Sequence, residues 1–193
     1  MKLSIATDTL KASVHCAAAK DVRYYLNGVL FDTTAGTNTL RLVSTDGTVL
    51  SLFTQALPDH PDPIEIIVPT EIIKQACTLH KKAPMIEFTV SDDRYTLGGI
   101  EFTPIDGKYP QYARVIPGRD AITQENKGIQ YNPDLLVRAK KALDNFYGAS
   151  KKGFNYRLDH NIAGGPGVMH KGEPTALVCI MPVRAEDCSY VGY

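Results

Sequence analysis

The side chains best equipped for chemistry in this sequence are five histidines and four cysteines, and their spacing argues against catalysis. His15 and Cys16 are adjacent, but neighbours on a helix point about 100° apart, so they do not form a nucleophile and base by themselves. His60, His80, His160 and His170 lack metal-ligand spacing with one another or with Cys16, Cys77, Cys179 and Cys188, so neither a metal nor a cofactor is expected. Gly164-Gly165-Pro166-Gly167 has no following Lys-Ser or Lys-Thr and reads as a hairpin turn rather than a phosphate loop. The expectation is a binding protein and not an enzyme.

The elements that hold these residues are those of an ordinary globular chain. At 193 residues and 44% hydrophobic content, it buries a core without disulfides or metals. The four scattered cysteines read as unbridged thiols in a reducing compartment. Residues 1–8 contain no signal-like apolar stretch and no later run reaches membrane-spanning length, so the expected location is the cytoplasm, with no membrane contact.

One pattern recurs three times: a polar cap, an amphipathic helix, then short strands separated by turns. In the first unit the spacing predicts a helix over 8–20 with Leu10, Val14, Ala17 and Ala18 on one face, then strands over 25–31, 40–44 and 49–53. The second unit predicts a strand over 64–68, a helix over 70–80 bearing Ile72, Ile73, Ala76 and Leu79, and strands over 86–90, 95–97 and 100–102. In the third, Asn132 caps a helix with Pro133 at its first position and Leu135, Leu136, Ala139, Ala142, Leu143 and Phe146 as its stripe; 176–181 is its clearest strand. The polar stretch 118–126 reads as a linker. The fold class is α+β, with helices on one face of antiparallel sheets.

Charge is unevenly placed on a chain with 21 basic and 21 acidic residues. The helical segments 8–23, 70–82 and 132–152 hold 11 basic and 5 acidic residues, and the remainder 10 and 16. Lys74, Lys81, Lys82, Arg138, Lys140 and Lys141 lie on or beside the polar helix faces, where lysines also serve simply to solvate a surface.

Four stretches carry a family resemblance, and they occur in the family's order: Asp21-Val22-Arg23-Tyr24-Tyr25-Leu26-Asn27-Gly28-Val29-Leu30-Phe31, Ser44-Thr45-Asp46-Gly47, Asp106-Gly107-Lys108-Tyr109-Pro110-Gln111-Tyr112-Ala113-Arg114-Val115-Ile116-Pro117, and Met181-Pro182-Val183-Arg184. The chain resembles the bacterial replicative sliding clamp, the DNA polymerase III β subunit, in a shortened form. Residues 1–117 are similar to the clamp's middle domain and 127–184 to the second half of its last domain, with 118–126 between them and a tail over 185–193.

The resemblance implies a processivity platform in DNA replication whose helices face double-stranded DNA without regard to sequence. It places Arg23, Tyr24 and Tyr25 at DNA, with Lys74, Lys81, Lys82, Arg138 and Lys141 as the helix-borne cations; strand packing is the other reading of the two tyrosines. It further implies a cleft for short peptides of DNA polymerase and repair partners, built from Leu26, Thr45, Gly47, Leu50, Pro117, Cys179, Met181, Pro182, Val183 and Arg184, which by type alone also suit a core. Thr48 and Val49 stand where the family commonly has a histidine and an arginine.

The family carries six units per chain, and two chains close head to tail into a ring; a clamp loader is among the partners that the resemblance suggests. Three units per chain lead to a tetrameric ring, joined first unit to first unit and third to third. A half-domain third unit should leave Leu135, Leu136, Leu143 and Phe146 partly exposed, giving at least a homo-oligomer, a dimer through that unit. The alternative is an interaction module that makes no ring and competes with a full-length clamp for its partners.

Overall fold

The structure, a computed structural model, describes residues 1–36, 38–58, 61–125, 128–148, 155–172 and 175–183. Arg184, Cys188, His60 and the tail over 185–193 lie outside the described residues.

The first unit comprises β1 (Lys2–Ala6), α1 (Thr7–Ser13), β2 (Gly28–Asp32), β3 (Thr39–Thr45) and β4 (Val49–Ala56). The second is β5 (Glu65–Pro69), α2 (Thr70–Leu79), β6 (Met85–Ser91), β7 (Arg94–Leu97) and β8 (Ile100–Phe102). The third is β9 (Ile122–Thr123), α3 (Pro133–Phe146), β10 (Arg157–Asn161), β11 (Gly167–His170) and β12 (Ala176–Ile180).

The first two units exchange their leading strands. A four-stranded sheet runs β1-β6-β7-β8, and an eight-stranded sheet runs β5-β2-β3-β4-β12-β11-β10-β9. Thus β1 joins the second unit's strands and β5 joins the first's. In the third unit β9 folds back onto its own β10, with His160 opposite Thr123, and fills the place that β5 fills on β2. The stretch expected to be a linker therefore contributes a short helical turn, Arg119–Ala121, and a sheet strand.

The two halves of the large sheet join through antiparallel β4 and β12, with Ser51 opposite Val178 and Leu50 opposite Cys179. Alternation sends Val49, Phe53, Ala176, Val178 and Ile180 to one face, where they pack with Ala139, Ala142 and Leu143 of α3 and with Ala12 and Cys16. Leu143 is fully buried, and Leu135, Leu136 and Phe146 are partly buried against this cluster. The first unit of the same chain thus covers Leu143, contrary to expectation, while Leu135, Leu136 and Phe146 stay partly exposed as expected. Because α1 packs against both α2 and α3, more extensively against α3, the spatial order of units is second, first, third. The expected ends of the arc, first and third, are corrected to second and third.

The first helix is shorter than its apolar spacing predicts, because its following carbonyls have distant partners. Ser44 Oγ donates to the Ser13 carbonyl, and the Arg138 guanidinium donates to the His15 carbonyl at 3.1 and 3.2 Å. The chain then turns, with Lys20 at φ 59°, into a helical turn over Tyr24–Asn27 where a strand was expected. The third helix starts as predicted, with the Asp134 amide donating to Asn132 Oδ1 at 2.9 Å.

The helices cover only one face of the large sheet. On the other, Leu30, Val43, Leu50, Leu52, Ile67, Val168 and Cys179 are covered by Tyr109 and Tyr112. The Tyr112 hydroxyl donates to the buried Asp32 carboxylate at 2.6 Å, and the Ile105 amide donates to the Ile67 carbonyl. The segment 105–116 is therefore fastened across the sheet opposite the helices.

Candidate peptide cleft and helix face

The cleft forms where this outer segment stops short. Its volume is about 210 Å³, and its walls come from four places in the chain. Arg23, Tyr25 and Leu26 come from the turn before β2, Thr45 and Gly47 to Leu50 from the β3–β4 turn, Pro110, Tyr112 and Val115 from the outer segment, and Pro166, Cys179 and Met181 from the third unit. Of the expected cleft residues, Leu26, Thr45, Gly47, Leu50, Cys179 and Met181 line it. Pro117, Pro182 and Val183 do not line it; all three are half-buried, and the Val183 amide donates to the Gln130 carbonyl. Arg184 lies outside the described residues. Pro110, Tyr112 and Val115 belong to a stretch already singled out by resemblance, whereas Pro166 had no signal beyond its place in a hairpin turn.

Hydrogen bonds fix the β3–β4 turn. Asp46 Oδ1 accepts from the Thr48 amide at 2.8 Å, the Thr48 hydroxyl at 2.7 Å and the Val49 amide at 3.0 Å. Thr45 Oγ1 donates to the Val49 carbonyl and accepts from the Gly47 amide. Gly47 adopts φ 95°, a left-handed conformation that costs a side-chain-bearing residue. Burial by itself would raise the Asp46 carboxyl, but the bonds from Thr48, Arg138 and Val49 outweigh it and hold the group below the usual carboxylate range. Met181 is 41% exposed at the mouth, and its amide donates to the Thr48 carbonyl at 2.9 Å. Cys179 on the floor is buried, and burial pushes its thiol up to about 12, so it serves as an apolar surface and not as a nucleophile.

On the opposite side α1, α2 and α3 enclose a shallow hollow of about 430 Å³ lined by Lys11, His15, Lys74, Lys81 and Asn145, with Ile73 and Cys77 at its base. Lys81, Lys82 and Lys141 are exposed, and Lys74 pairs with Glu71 at 2.9 Å. Two of the expected DNA-facing cations are otherwise engaged. Arg23 forks onto Asp21 at 2.7 and 3.0 Å and donates to the Asp46 carbonyl at 3.0 Å. Arg138 donates to Asp46 Oδ2 and to the His15 carbonyl. Tyr24 is 56% exposed and meets Tyr25 edge-on, with ring centroids 5.8 Å apart; Tyr25 turns into the cleft wall instead.

Helix-and-strand units on shared antiparallel sheets, a helix layer on one side and a cleft across the β4–β12 joint on the other, define a protein of the DNA-clamp class. The crystal structure of a DNA polymerase sliding clamp from Pseudomonas aeruginosa superposes with a TM-score of 0.66 at 21% identity, over 95% of this chain and 67% of that one. A DNA polymerase III beta chain from Streptococcus pneumoniae gives 0.69 at 14% identity, over 96% and 65%. The family model of the DNA polymerase III beta subunit, central domain, matches residues 4–111. The chain belongs to the DNA polymerase III beta subunit family. It is 41% identical over 106 residues to the beta sliding clamp of Pseudomonas putida, covering 52% of this chain and 28% of that protein. It is 32% identical over 139 residues to that of Escherichia coli K12, covering 67% and 35%. The chain thus spans about a third of the length of the curated relatives that it matches.

Proposed function

We propose that the chain is a non-catalytic, clamp-type processivity platform in the cytoplasm. It docks short peptide motifs of a DNA polymerase and of other replication or repair factors in the outer cleft, and rests its helix face on double-stranded DNA. The observation that carries this reading is convergence: Leu26, Leu50, Cys179 and Met181, far apart in sequence, face one small apolar cleft. A flexible, polarizable thioether at its mouth suits a site that accepts several peptides. Titration with a labelled peptide carrying a glutamine and terminal aliphatic or aromatic residues should saturate, and absence of saturable binding to the wild type would sink the docking reading.

The fuller form of the proposal is self-association around DNA. Twelve units would take four chains, with a clamp loader as a further proposed partner and twofold contacts between second units and between third units. Its support is the edge of β8, which has no strand partner among the described residues at the position where its counterpart β4 pairs with β12. The second reading, a module that makes no ring and competes with a full-length clamp, draws support from the core that the third unit shares with the first, which leaves less apolar surface for a dimer through that face. Light scattering at micromolar concentration separates the two: oligomers favour the ring and a stable monomer favours the competitor.

A further inference from the structure

The β3–β4 turn is one wall of the cleft, yet its principal charged partner belongs to the helix layer behind it. Asp46 divides its carboxylate between two tasks. Oδ1 caps the turn by accepting from Thr48 and Val49, and Oδ2 accepts from Arg138 NH1 on α3. The remaining guanidinium donors, Nε and NH2, hold the His15 carbonyl just beyond α1. The arginine therefore ties together three segments that nothing in the local sequence relates: α3, the end of α1 and the turn. Both partners are partly withdrawn from solvent, with side-chain exposures of 33% for Arg138 and 19% for Asp46, so the pair is screened less than a fully exposed ion pair. On the other flank Arg23 donates to the Asp46 carbonyl, and its guanidinium lies where a Cβ on Gly47 would meet it at 3.1 Å.

We propose that Arg138 is a positioning residue of the docking cleft and not a phosphate contact: through Asp46 it holds the Gly47–Thr48 wall against which a peptide packs. The proposal rests on the docking reading for its functional consequence, but the link itself is testable without a peptide. Lysine cannot replace the arginine, because one ammonium cannot reproduce the planar fork that spans a carboxylate and a carbonyl.

Amide hydrogen exchange of the full chain is measured for Arg138→Gln, Arg138→Lys and Asp46→Asn. The asparagine can keep the Oδ1 caps while removing the charge toward Arg138, so it provides a second route if the arginine variants fold poorly. Faster exchange at Thr48 and Val49 in all three, with the middle of α3 unchanged, is expected; unchanged exchange at those amides overturns the link. In parallel, peptide affinity should fall about tenfold in each single variant and no further in the Asp46→Asn, Arg138→Gln double variant, since both remove one charged hydrogen-bonded pair. The salt slope of DNA association should stay at the wild-type value; a slope lower by about one in Arg138→Gln would identify a phosphate contact and overturn the assignment. A wild type that bound no peptide would defeat the docking reading alone, while the exchange data would still decide the link.

Discussion

Phe53 on β4 and Phe146 at the end of α3 stack with ring centroids 5.1 Å apart and planes 19° from parallel. The contact joins the first and third units inside one chain, and together with Leu143 and Val178 it makes a core that belongs to neither unit alone.

Leu143→Ala should therefore destabilise the whole chain. Truncating a fully buried leucine costs about 2–5 kcal/mol, and because the two units share this core, urea unfolding followed by circular dichroism should remain a single transition with a lower midpoint. A separate early loss of the third unit would contradict the shared core.

At the cleft, Met181→Ala should weaken peptide binding by roughly 1–3 kcal/mol through lost apolar contact. Calorimetric titration against the wild type checks it, and stability should hardly move, since the side chain lies at the cleft mouth.

Charge reversal at Lys74, Lys81 and Lys141 should lower DNA association irrespective of sequence and flatten its dependence on salt, because each lost phosphate contact releases fewer counterions. Fluorescence anisotropy on two unrelated duplexes over a salt series measures this. Unchanged binding at low salt would remove the helices as the DNA face.

Acid should loosen the joint of the first and third helices. Burial, then Lys141 and Arg138, holds His15 below its ordinary pKa, and its Nε2 meets the Asn145 side-chain amide. With the folded value below the unfolded one of about 6.5, this contribution is complete above about pH 6.5 and is lost as pH falls through the folded value. His15→Gln should lose less stability than the wild type between about pH 7 and pH 5 in urea titrations; identical losses would show that another group is responsible.

Much of this architecture was legible because it is local. Asn132-Pro133 marks the start of α3, the alternation in 64–68 and 86–90 marks strands, and the glycine turns fall between them. Within the site, Leu26, Leu50, Cys179 and Met181 were found through ordered resemblance, since apolar types alone do not separate a cleft from a core. What escaped was set by distant partners. The end of α1 depends on Ser44 and Arg138, and the orientation of Arg138 depends on Asp46. A polar face in a helical pattern gave no indication that one cation turns inward. The strand β9 escaped because two residues in a polar stretch carry no periodicity.

The joint between β4 and β12 also imposes an order in time. Leu26 to Leu50 are synthesised well before Cys179 and Met181, which contribute to the same cleft. Pairings this far apart in sequence close late and slowly. While only the β1–β8 portion has been made, the cleft lacks the walls that Pro166, Cys179 and Met181 supply. On the proposed docking reading, peptide binding would therefore wait for β12, so a nascent chain lacking that strand would hold no partner.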